Sequence, residues 1–101
     1  MEFPHVWAAI QSHLGRGTQV KNWTAAKGYL GDSFTIATVS SSHVDVDSPN
    51  AETVQRVSKA DFEFMHNNWK AYCAGQVKRT ELAKSTRVSK YTISILRHIE
   101  K

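Results

Sequence analysis

The chain has one cysteine, two prolines and five glycines in 101 residues, and each scarcity removes a class of protein. With Cys73 alone no internal disulfide can form, so a disulfide-stapled secreted scaffold is excluded and a reducing compartment, the cytoplasm, is expected. One thiol cannot supply a thiolate cluster, and His5, His13, His43, His66 and His98 lack zinc-type spacing, so no metal site is predicted. Glycines 15, 17, 28, 31 and 75 form neither a dinucleotide fingerprint nor a phosphate loop, and no cofactor is expected. No apolar run approaches about 18 residues and no basic-then-apolar leader opens the chain, which predicts neither a membrane span nor export. Repeats and low-complexity segments are absent too.

What is present is a hydrophobic content of 41%, with three Trp, three Tyr and four Phe, which argues for a packed core over disorder. The length suits one domain over residues 1–101, and a domain of this size often gains stability as a homo-oligomer, a dimer in the simplest case. Charge is unevenly spread. From residue 70 onward eight Lys or Arg face only Glu81 and Glu100, a balance of +6, while residues 1–69 sum to −2. A basic end on a mildly acidic body is the footprint of a polyanion binder, although a solvated basic face has the same composition.

Phe3, Val6, Trp7, Ile10 and Leu14 recur at helical spacing and predict an N-terminal helix ended by Gly15 and Gly17. Alternation then predicts strands over 19–25, 33–40 and 43–47, with a weaker fourth over 52–57. The joints over 28–32 and 40–42 and the break Asp47-Ser48-Pro49-Asn50 are too short for parallel crossovers, so the strands form an antiparallel meander. Ser58 and Asp61 have capping-box spacing before Phe62, Met65, Trp69 and Tyr72 or Cys73, and Gly75 stops that helix. The fold class is α+β: an N-terminal helix, a small antiparallel sheet of three or four strands, then three C-terminal helices.

Several constellations invite a chemical reading. His43, Asp45 and Asp47 share one face of a strand, as a hard-metal or general-base site would require, but a solvent-facing strand wants the same polar alternation. Cys73 lies on the apolar side of its helix, where a buried structural thiol outweighs a nucleophile, and no catalytic residue is assigned. Trp69 belongs to an apolar stripe, whereas Trp23 and Tyr91 beside positive charge leave base stacking open.

The last stretch, residues 78–101, holds two short helical patterns. Thr80 is its first candidate N-cap, with Glu81 in the first turn and Leu82 and Ala83 facing inward. After Ser85-Thr86-Arg87, Ser89 caps a second helix in which Tyr91, Ile95, Leu96 and Ile99 fill an arc of roughly 140°, extended by Ile93. Lys90, Ser94, Arg97, His98 and Lys101 occupy the opposite arc.

The run from Thr80 to Ser94, with Leu82-Ala83, Val88-Ser89 and Thr92-Ile93-Ser94, resembles the helix-turn-helix of bacterial repressors. That resemblance implies Ser89, Lys90, Tyr91, Ser94 and His98 on an exposed recognition side, with Arg79, Lys84, Arg87 and Arg97 near phosphates of double-stranded DNA. Arg87 stands where the family has Gly, and Ile95 falls near the DNA side. A longer set, Val57 to Phe62, Trp69, Tyr72, Gly75, Arg79, Ser89 to Tyr91 and Ser94 to Leu96, resembles small bacterial proteins of unassigned function, including ones carried on mobile integron gene cassettes. Non-enzymatic DNA binding is thus one expectation, and an oligomeric interaction or small-molecule binding module lined by Trp7, Trp23, Trp69 or Tyr91 is the other. DNA binding predicts an affinity for duplex that falls steeply with salt and falls further in Lys90→Ala or Arg97→Ala, measured by fluorescence anisotropy.

Overall fold

A computed structural model describes residues 2–49 and 51–100, so Asn50 of the expected break and Lys101 of the expected basic arc lie outside the described residues. The elements follow the α+β order expected: α1 (Phe3–His13), β1 (Gln19–Thr24), β2 (Gly28–Val39), β3 (His43–Asp47), β4 (Gln55–Ser58), α2 (Lys59–Cys73), α3 (Arg79–Leu82) and α4 (Ser89–Glu100). The sheet is an antiparallel meander in the order β1-β2-β3-β4, which leaves β1 and β4 as its edges. Val20, Phe34, Ile36, Val44, Val46 and Val57 alternate inward and join Ile10, Phe62, Met65, Ile93 and Ile95 in one apolar cluster. Burying each such side chain contributes about 1.5–3 kcal/mol.

Local chemistry explains the boundaries. Ser58 Oγ accepts the Asp61 N–H at 3.1 Å while Asp61 accepts the Ser58 N–H at 3.0 Å, a closed capping box at the start of α2. At its other end Gln76 N–H donates to the Ala71 carbonyl and Gly75 N–H to that of Tyr72, the Schellman arrangement, with Gly75 at φ 78° where a side chain would be strained. Asp61 also accepts from Thr86 Oγ1 at 3.0 Å, so the cap of α2 holds the one buried residue of the joint between α3 and α4.

Four expectations need correction. The β1–β2 turn occupies residues 25–27, and residues 28–32, expected as a joint, belong to β2. There the ladder is broken: Lys21 pairs with Ser33 but Trp23 pairs with Tyr29, so Asn22 stands opposite three residues of β2. α3 is one turn, preceded by Lys78 rather than capped by Thr80, and Ala83 is exposed. Finally, Thr92 through Leu96 are all buried, so the middle of α4 is covered on every side instead of showing one polar face.

The reason for that last difference is a seam between α4 and β1. Ser94 is 1% exposed; its hydroxyl donates to the Lys90 carbonyl at 3.0 Å and accepts the Trp23 N–H at 3.1 Å. Tyr91 meets Phe34 edge to face at 5.1 Å, and the Arg97 guanidinium lies 5.0 Å from the Trp23 ring centre. Ser94→Ala leaves a half-buried N–H unpaired and is expected to cost about 1–3 kcal/mol. Each kcal/mol lowers the melting temperature by about 4–8 °C in a domain of this size. A recognition-side serine would show no such loss in urea unfolding followed by tryptophan fluorescence.

Candidate functional site

The segment assigned to DNA divides by burial. Arg79, Lys84 and Arg87 are exposed on α3 and the joint after it, and Lys90, Tyr91, Arg97 and His98 are half-buried. Ser89 and Ser94 are buried, which corrects the exposed recognition side implied for them: Ser94 bonds β1, and Ser89 is the first residue of α4 rather than its cap. Arg87 carries no left-handed strain, because no described residue other than glycine has a positive φ. Arg97 pairs with Glu100 at 3.6 Å, and Glu100 also accepts the indole N–H of Trp69. These contacts tie α4 to α2.

The structure instead brings Arg79 together with residues from distant parts of the chain. A cleft of about 670 Å³ separates the β1–β2 hairpin from the joint between α2 and α3. Ala25, Leu30, Tyr72, Cys73 and Val77 give it an apolar lining, and Lys27, Lys78 and Arg79 give it cations. Among the described residues its lining contains no Asp, Glu or His. Tyr72 fixes the geometry, because its buried hydroxyl accepts the Ala25 N–H at 3.1 Å and so pins the hairpin to α2. Leu30, 46% exposed, is shared with a second recess of about 180 Å³ lined by Asn22, Trp23, Lys90 and Ser94. Thr24 and Arg79 line both.

Sequence reasoning had Arg79 and Lys90 but missed Asn22, Lys27, Leu30 and Lys78. One signal was legible: Asn22 shares the inward phase of β1 with Val20, so a carboxamide occupies a core position. The cleft itself depends on contacts between remote segments.

Cys73 is exposed at the cleft and not buried as its helical phase implied. Partial burial of the sulfur pushes its thiol pKa up, the Glu100 carboxylate adds to this, and Arg97 opposes it. The thiol is therefore protonated at neutral pH and a poor nucleophile.

The other polar cluster lies on the sheet. His43 Nδ1 is 3.1 Å from Ser40 Oγ and 3.0 Å from Ser42 Oγ, and its Nε2 is 3.6 Å from Asp45. These are hydrolase residue types, but Ser40 Oγ already accepts the N–H groups of Ser42 and His43, which occupies the lone pairs a nucleophile would use. Asp45 takes a forked pair from Arg56 at 3.0 and 3.4 Å. No group of three His, Cys, Asp or Glu among the described residues is arranged to hold a metal ion. No helix among the described residues is long and apolar enough to cross a membrane.

No protein family, curated protein or solved structure matches the chain.

The Arg56 hydrogen bonds hold the Asp45 carboxyl below its ordinary 3.8, helped by the Arg56 and His43 charges and opposed by partial burial. A lowered carboxylate pKa stabilises the fold above the unfolded value, and that contribution disappears as pH falls through the folded value. Urea unfolding from pH 6 to pH 2.5 should show Asp45→Asn to be less stable than wild type at pH 6, with the difference closing below about pH 4.

Proposed function

We propose that the protein is a non-enzymatic binding module for a small apolar anion, held in the cleft between the β1–β2 hairpin and the α2–α3 joint. The observation that carries this proposal is an apolar cleft of about 670 Å³ whose charged lining groups, among the described residues, are Lys27, Lys78 and Arg79. Its size falls within the usual range for small-ligand sites, and convergent cations on an apolar wall match a carboxylate joined to a hydrocarbon. The cations beside an apolar wall suit binding of an anion, and the raised thiol pKa of Cys73 makes it a weak nucleophile. A free thiol at the mouth suits a reducing compartment such as the cytoplasm.

Double-stranded DNA is the second reading, favoured by the exposed Arg79, Lys84 and Arg87. It has less support because the buried Ser89 and Ser94 remove the helix face that would enter a groove. The same cations serve an anionic ligand without that requirement.

Octanoate, titrated into the full chain while Cys73 reacts with N-ethylmaleimide, tests the cleft directly. Saturable protection is expected, with affinity rising about fourfold per added CH₂ at about 0.8 kcal/mol each and falling severalfold in Arg79→Ala. No protection at millimolar octanoate, with salt-sensitive duplex binding lost in Lys84→Ala and Arg87→Ala, would favour DNA. Protection without any ligand in a chain that sediments as a dimer would mean that a second copy covers the cleft.

A further inference from the structure

We infer that the ligand of this cleft carries an O–H or N–H donor on the carbon next to its carboxylate, and that Asn22 reads that donor. The inference rests on the cleft reading above and assigns its polar end to the smaller recess.

Asn22 is 2% exposed, and its Oδ1 is buried with no hydrogen-bond partner among the described residues. A buried amide oxygen without a partner destabilises the fold, and such groups are uncommon in native proteins unless something else satisfies them. The side chain lines the recess that shares Thr24, Leu30 and Arg79 with the main cleft. The recess exists because the β1–β2 ladder breaks there: Asn22 has no paired residue on β2, and Gly31 takes a φ of 95° in the broken stretch. Leu30, 46% exposed, forms part of the wall shared by the recess and the main cleft.

Two cations face the same space. Arg79 and Lys90 line the recess, and neither is ion-paired with a described residue. They suit a carboxylate. Asn22 Oδ1, in contrast, repels a bare carboxylate and accepts only from a donor. One headgroup satisfies all three: a carboxylate whose neighbouring carbon bears O–H or N–H. A 2-hydroxy fatty acid and an N-acyl amino acid share that chemistry, and either places its hydrocarbon along Leu30 and Val77 of the main cleft.

Isothermal titration of the full chain with octanoate, 2-hydroxyoctanoate and N-hexanoylglycine tests this. At least one of the two donor-bearing ligands should bind about tenfold more tightly than octanoate, and the tighter one identifies the source of the donor. Asn22→Leu should erase that preference by weakening the donor-bearing ligand about tenfold, bind octanoate at least as tightly as the wild type because the repelling oxygen is gone, and melt at or above the wild-type temperature, since it replaces an unpartnered amide with hydrocarbon. A drop in melting temperature with the preference intact would make Asn22 structural and overturn the inference. Should Asn22→Leu fail to fold, the isosteric Asn22→Asp sets a carboxylate against the ligand's own and should weaken 2-hydroxyoctanoate about tenfold; unchanged affinity would overturn the inference. Octanoate binding with no preference for either donor ligand sinks only the role of Asn22. Failure of all three ligands to bind sinks the cleft reading as well.

Discussion

The Ser94 hydroxyl is the contact on which the arrangement depends, because β1 is an edge strand and one of its N–H groups is satisfied by a helix instead of another strand. A sheet edge left half-buried without partners would be costly. α4 removes that cost by running against β1 with a small residue at the crossing, and its own Lys90 carbonyl accepts the hydrogen bond of the hydroxyl. Once α4 is there, Tyr91 must pack on Phe34 and Arg97 on Trp23, since both follow from the rotation of the helix that brings Ser94 to the strand. Polar residues on α4 thus serve the interior.

Other bonds fix how far the C-terminal segment can close on the hairpin. Tyr72 accepts the Ala25 N–H from α2, and Asp61, already committed to its capping box, accepts from Thr86 in the joint between α3 and α4. These two anchors hold opposite ends of the segment from Gly75 to Arg87, where α3 forms only one turn. The single turn leaves the space that Lys78, Arg79 and Leu30 border. Electrostatics follow the same division: Arg97 is neutralised by Glu100 and covered by Trp23, whereas Arg79 and Lys90 have no carboxylate among the described residues.

Elements governed by local rules were legible in the sequence. The Ser58–Asp61 box, the Gly75 stop and the inward alternation of Phe34, Ile36, Val44 and Val46 each depend on residues a few positions apart. Legibility failed where a remote partner decides. Ser94 reads as surface in a helical wheel, yet its partner lies 71 residues away in sequence. Cys73 follows the apolar phase of α2 but borders the open cleft instead of the packed interior. The β2 boundary was misplaced because Gly28 and Gly31 are turn residues by composition, while here they start a strand and break its register. Of the segment linked to a helix-turn-helix, the structure keeps the two-helix order but turns Ser89 and Ser94 inward.

Positions where a sequence departs from its own pattern without structural compensation are the ones to ask about function. Ser94 departs from an apolar environment and is compensated twice. Asp61 is compensated by Ser58 and Thr86, and Asp45 by Arg56. Asn22 is different: it takes the inward phase of β1, loses its place in the ladder, and keeps an amide oxygen without a partner among the described residues. A valine in its place would continue the Val20 pattern and remove the penalty. That uncompensated amide lies within a recess bordered by two unpaired cations and joined to an apolar cleft. Folding alone gives no reason for this combination, whereas a polar headgroup entering from the cleft would satisfy the amide and both cations together.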